Sequence, residues 1–208
     1  MKTISVFPKS LRGFAAFLIL MMLMLSLPLS ASAHCDTMDG PTVADGYKAI
    51  ENKNVNYILK WVQPEYDEEL TSIFDLAMKV REQSPDAKEL AEKYLFDNLV
   101  RIHRAGEGAP FTGVKPSGTP IDEKVLAADK AIESGDLSNL ESMMEDEELP
   151  ELRERYKNVM LKKDFDVNDI EAGREYIEAY VMFFKYAEGE EAHSDHGSAD
   201  THETENHP

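Results

Sequence analysis

Apolar residues recur at intervals of three and four along most of the chain, and period-two alternation is scarce, so the pattern predicts helices and little sheet. Pro41-Thr42 opens a helix that runs to about Asn52. A second, short helix follows over 55–62 and carries Ile58, Leu59 and Trp61. Pro64 starts the next one, with Leu70, Ile73, Phe74, Ala77 and Met78 on one stripe. Ser84-Pro85 reads as an N-cap followed by proline at the first helical position. It opens a long helix with Leu90, Tyr94, Leu95, Leu99 and Ile102 turned inward. Residues 106–120 hold four glycines and three prolines and form a loop.

The second half repeats this plan. Lys48-Ala49-Ile50-Glu51 returns as Lys130-Ala131-Ile132-Glu133, 82 positions later. The same offset, without gaps, pairs Val55 with Leu137, Ile58 with Leu140, Leu70 with Leu152, Phe74 with Tyr156, Met78 with Met160 and Tyr94 with Tyr176. The expected fold is an all-α bundle of two pseudo-symmetric repeats of about 80 residues, 42–105 and 122–187. Neither repeat alone would bury enough surface, so both share one domain over 34–187.

The ends of the chain read differently. Residues 1–33 combine a basic start (Lys2, Lys9, Arg12), an apolar run over 14–27 and the closing tripeptide Ala31-Ser32-Ala33. That is a secretory signal with an A-x-A cleavage site. From about Glu188 to residue 208 apolar periodicity stops; the segment is acidic, carries His193, His196, His202 and His207, and reads as a disordered tail. Such tails collect Zn, Cu or Ni weakly, or are simply solvated.

Charge and cysteine usage narrow the function. The formal charge is −18, and removing the three basic residues of the leader makes it −21. Such acidity argues against nucleic acid and against anionic membrane surfaces as partners. One cysteine excludes an intramolecular disulfide. No second apolar stretch approaches membrane-spanning length. The expected product is soluble, in the periplasm or outside the cell, and a homo-oligomer is compatible with it.

Cleavage after Ala33 would make His34 the first residue, with Cys35 behind it. A terminal amine titrates near pH 8, at about 7.7–8.0, so a metal displaces its proton readily. The amine, the Cys35 amide nitrogen and the Cys35 thiolate can close two adjacent chelate rings. Such N,N,S donation favours square-planar Cu(II) or Ni(II), with Zn(II) a further candidate. The His34 imidazole adds a fourth donor. Asp39, His103 and Glu107 are candidates to complete or orient the site. For His103 an equally simple reading is structural, because a cation at a helix C-terminus is favoured by the dipole, and its repeat partner Lys185 is also a cation. Met78, Met143, Met144, Met160 and Met182 fall on apolar faces and read as core filler, whereas Met38 lies beside the hook.

The arrangement resembles the hook of nickel superoxide dismutase over His34, Cys35, Asp36 and Gly40. That family's second cysteine falls at Asp39 here, so one thiolate is missing and a harder oxygen stands in its place, which leans the site towards copper or zinc. The runs His34-Cys35-Asp36-Thr37-Met38-Asp39-Gly40-Pro41, Arg101-Ile102-His103-Arg104-Ala105-Gly106-Glu107-Gly108-Ala109-Pro110 and Glu171-Ala172-Gly173-Arg174-Glu175-Tyr176 resemble the signature of an uncharacterised family of exported bacterial helical proteins. That resemblance spans nearly all of the chain after the leader and implies one domain, with no activity to carry over.

Two functions follow from the hook. In the first, His34 and Cys35 hold a redox metal that turns over superoxide. In the second, the chain is a non-enzymatic carrier or buffer of copper, nickel or zinc. A third, structural reading has Cys35 forming an intermolecular disulfide.

Overall fold

The computed structural model describes residues 33–189. The leader over 1–32 and the tail beyond 189 lie outside the described residues. Eight α-helices occupy the described span, and no strand occurs in it: α1 Pro41–Asn52, α2 Asn56–Leu59, α3 Asp67–Val80, α4 Pro85–Gly106, α5 Glu123–Ser134, α6 Ser138–Glu141, α7 Leu149–Lys162 and α8 Ile170–Glu188. No helix in this span is long and apolar enough to cross a membrane.

Local chemistry sets most boundaries. Pro41 sits in the first turn of α1, after an extended Gly40. The helix stops at Lys53, whose left-handed backbone (φ 52°) lets its N–H reach the carbonyls of Ala49 and Ile50. Ser84 caps α4 by accepting from the Ala87 N–H at 3.0 Å, as the Ser-Pro pair predicts. Asp122 and Asp169 do the same for α5 and α8. Pro64 begins a 3₁₀ turn, Pro64–Tyr66, that leads into α3. Three acids in the first turn of α3 (Asp67, Glu68, Glu69) complement its dipole.

The helices pack in pairs. α3 lies on α4 and α7 on α8; α1 lies on α4 and α5 on α8. Helix starts recur at a spacing of 82 residues: 41 and 123, 56 and 138, 67 and 149. One continuous core runs through both halves, with Ile58, Leu70, Leu95, Leu99, Leu140, Leu152 and Phe183 all fully buried. The halves meet where α8 crosses the turn after α2. There Arg174 donates to the Val62 carbonyl at 3.1 Å and pairs with Asp67.

One expectation for α4 is corrected. Leu95, Leu99 and Ile102 are buried, but Leu90 is 68% and Tyr94 44% exposed. The buried stripe runs Ala91, Leu95, Leu99, Ile102, flanked by Phe96 and Val100. Leu90 and Tyr94 each precede a stripe residue by one position, which turns them about 100° off the core-facing line. The loop after α4 is irregular, as its glycines and prolines predict, yet it also folds back on the start of the described chain. Thr37 and Lys115 form an isolated parallel bridge.

Candidate functional site

The site begins with a 3₁₀ turn, Ala33–Asp36, tucked under the loop that follows α4. The Lys115 N–H donates to the Asp36 carbonyl at 2.7 Å, and the Met38 N–H donates to the Lys115 carbonyl at 2.9 Å. The turn also closes on itself: the Thr37 hydroxyl donates to the His34 carbonyl at 3.3 Å. A Cβ at Gly40 would stand 2.2 Å from that same carbonyl oxygen, so only glycine lets the chain pass there. The result buries a histidine and a cysteine side by side. His34 is 5% and Cys35 2% exposed.

The His34 ring is held from one side. Its Nε2 lies 2.7 Å from Asp129 Oδ2 and 3.1 Å from the Tyr180 hydroxyl. The Tyr180 hydroxyl donates its single proton to Asp129 Oδ1 at 2.7 Å, so it can only accept from His34. Nε2 therefore carries a proton. In the neutral ring Nδ1 then keeps its lone pair, and Nδ1 is buried with no hydrogen-bond partner. A histidine fixed by a carboxylate at one nitrogen and bare at the other is the arrangement that metal-ligating histidines adopt. Burial holds the Tyr180 phenol well above its ordinary range, and the Asp129 charge adds to the effect.

Cys35 points into a different environment. Burial pushes its thiol far up, and the nearby carboxylates of Glu107, Asp36 and Asp129 push it further; the Thr42 hydroxyl opposes them. In the metal-free protein the sulfur is thus a neutral thiol. A divalent cation beside it would reverse that balance, because coordination deprotonates a thiol outright.

Behind the cysteine lies a buried ionic cluster. Arg104 Nη1 donates to Glu107 Oε2 at 3.1 Å, and its Nε stands 3.6 Å from Asp36 Oδ2. Lys185 donates to Glu107 Oε1 at 3.1 Å. Burial alone would raise Glu107; the charges of His103, Lys185 and Arg104 more than reverse it and hold the carboxyl below its usual range. Asp36 goes the other way: desolvation outweighs Arg104 and raises it. His103 donates from Nδ1 to the Trp61 carbonyl at 2.9 Å, and its Nε2 stands 3.8 Å from Glu107 Oε2.

The residues singled out from the sequence therefore separate into three groups. His34 and Cys35 are adjacent and buried. His103 and Glu107 sit together at the end of α4, with Glu107 electrostatically close to Cys35; His103 Nδ1 serves Trp61 and Glu107 serves Arg104 and Lys185, while His103 Nε2 is buried without a hydrogen-bond partner. Asp39 is elsewhere. Its carboxylate accepts from Ser117 Oγ at 2.7 Å and from the Gly118 N–H at 2.8 Å, and these bonds hold it below its usual range. Among the described residues, no group of three or more His, Cys, Asp and Glu side chains is placed to hold a metal ion. A metal at this turn would need main-chain nitrogen.

Asp129 and Tyr180 were not singled out from sequence, although a signal existed. Val125, Ala128 and Ile132 form a buried stripe on α5, and Asp129 interrupts it at helical spacing. A carboxylate on an apolar stripe demands a buried partner. Asp45 is similar: it is buried on α1 between Val43 and Ala49, and takes Lys48, Lys60 and the Trp61 indole N–H at 2.8, 2.9 and 2.9 Å.

Residues 39–186 match the model of a family of unknown function (DUF6448), and the chain belongs to that family. The matched stretch starts at Asp39, so the His34-Cys35 turn precedes it. Comparison with curated proteins finds no match, and neither does comparison with solved structures.

Proposed function

We propose that this member of the family is an exported metal-binding protein whose ion sits at the processed terminus. Cleavage after Ala33 frees the His34 amine beside a bare imidazole nitrogen and a buried thiol. The amine, the His34 Nδ1, the Cys35 amide and the Cys35 sulfur form the donor set, which suits copper or nickel, with zinc as the redox-silent occupant. The observation that carries this reading is His34 Nδ1, buried and without a partner while Nε2 is fixed on Asp129. Asp129 and Tyr180 orient the ring, and Glu107 and Asp36 lie where a cation's charge is welcome.

A bound copper or nickel would supply one-electron chemistry, for which superoxide is the substrate we favour. Access to His34 from a cleft supports this activity. The one available thiolate, with Asp39 spent on the loop, supports the carrier or buffer reading instead.

The recurring helix starts and the offset of 82 residues support a further element of the proposal, that the two halves descend from one duplicated unit of about 80 residues. The tail histidines would then be an addition outside the duplicated part.

The test is the intact mass and metal content of the exported protein. We expect a chain beginning at His34 with about one equivalent of copper or nickel. A chain beginning elsewhere removes the amine from the donor set and overturns the hook. Stoichiometric metal without consumption of superoxide selects the carrier.

A further inference from the structure

A cleft of about 830 Å³ lies beside His34, between the Lys60–Trp61 turn and the start of α8. Its volume is that of a small-molecule site, and its wall combines five aromatic side chains (Tyr57, Trp61, Phe165, Tyr176 and Tyr180) with four carboxylates and three lysines. Three of the four carboxylates in that wall are already engaged. Asp45 is already bound by Lys48, Lys60 and Trp61. Asp129 is taken by Tyr180 and His34, and Asp39 by Ser117 and Gly118. Of the carboxylates in the wall, only Glu133, which is exposed, has no partner among the described residues.

The donors are under-used. Lys60 is nine-tenths buried, yet only Asp45 engages its ammonium, at 2.9 Å. The rest of that group faces the rings of Phe165 and Tyr176, 5.1 and 5.9 Å from their centroids. An ammonium has three N–H donors, and a buried donor without an acceptor is costly. Lys163, also in the wall, has no ion-pair or hydrogen-bond partner among the described residues, and neither do the hydroxyls of Tyr57 and Tyr176.

We propose that this cleft binds a small organic anion: a carboxylate-bearing molecule with a flat, unsaturated body. Its charge sits on Lys60 with Lys163 and Lys48 at the mouth, and its body lies along the aromatic wall. An acidic chain would not draw such a ligand by its overall field. The wall itself holds four carboxylates and three lysines, so recognition comes from the unused donors of Lys60 and Lys163 rather than from net charge, and it needs no metal at His34.

Trp61 is the chain's single tryptophan and lines the cleft, so its fluorescence reports occupancy. The experiment titrates metal-free protein with benzoate, with the neutral analogue benzamide and with the cationic analogue benzylamine. We expect a saturable response to benzoate, at least about tenfold weaker binding of benzamide and none of benzylamine. Lys163→Gln should weaken benzoate several-fold without changing the melting temperature. Lys60→Gln should weaken it more, and it must be read beside the Lys163 variant because it also strips Asp45. Equal affinity for benzamide or benzylamine, unchanged benzoate affinity in both variants, or no saturable response to benzoate overturns the proposal. A response that requires added copper or nickel also overturns it, since the anion would then be binding the metal rather than the lysines. Loss of the metal reading leaves every one of these outcomes readable.

Discussion

His34 Nε2 stands 2.7 Å from Asp129 Oδ2, and this contact ties the first described turn to a helix some ninety residues further along. It fixes the ring's tautomer and leaves Nδ1 free. If His34 is a ligand, Asp129→Asn should weaken metal binding about 10- to 100-fold, the usual effect of losing such a partner, while the helical circular dichroism stays the same. Competition titration against a chelator measures it. Unchanged affinity would mean that His34 does not bind through the nitrogen this contact exposes.

Cys35 sets a pH dependence. Its folded thiol is raised far above the unfolded value, so its contribution to stability is complete below the unfolded thiol's pKa, about 8.5, and is lost as pH rises above it. Metal-free protein should therefore lose stability above about pH 9, by up to about 1.4 kcal/mol per pH unit from this group. Urea unfolding from pH 7 to 10.5 measures the slope. Cys35→Ala should flatten the early part of that fall, because the tyrosines raised by burial, Tyr176 (to about 12) and Tyr180, start from a higher ordinary value. A wild-type slope that persists in Cys35→Ala would place the titrating group elsewhere.

Arg104 is buried between Asp36 and Glu107. Arg104→Met should destabilise the domain by about 3–5 kcal/mol, the usual effect of leaving buried carboxylates without their partner. Lys185 still reaches Glu107, which places the expectation towards the lower end. Chemical denaturation gives the number. A loss near that of a surface ion pair, under about 1 kcal/mol, would mean that Asp36 takes up a proton and accommodates the change.

How far the sequence reaches can be judged at particular residues. Pro41, Ser84 and the 82-residue offset place helix starts well, because caps and prolines act on their own neighbours. Leu90 and Tyr94 show the limit: a stripe at helical spacing can be drawn one position off, and only packing against α1 and α3 decides which side is buried. The site is legible in the same partial way. His34 and Cys35 stand out because their chemistry is local. Asp129 and Tyr180 do not, since the contact that gives them meaning spans the fold. Asp39 looked like a ligand from its spacing in the hook, but the loop around Ser117, far off in sequence, claims its carboxylate.

The sharpest prediction concerns the terminus itself. The donor set proposed here contains two main-chain nitrogens, because the described side chains alone provide no three-ligand group. Placing one extra residue before His34 moves the free amine out of the chelate and leaves every side chain in place. Affinity for copper or nickel should then fall nearly as far as in Cys35→Ser, which removes the only soft anionic ligand. Asp39→Ala is the contrast. It should leave affinity within a few-fold of wild type, because its carboxylate holds Ser117 and Gly118 rather than the hook. An ordinary thiolate–imidazole site would tolerate the extension. Wild-type affinity in the extended protein, measured by chelator competition on chains of verified mass, would therefore exclude the amine from the site and with it the terminal hook.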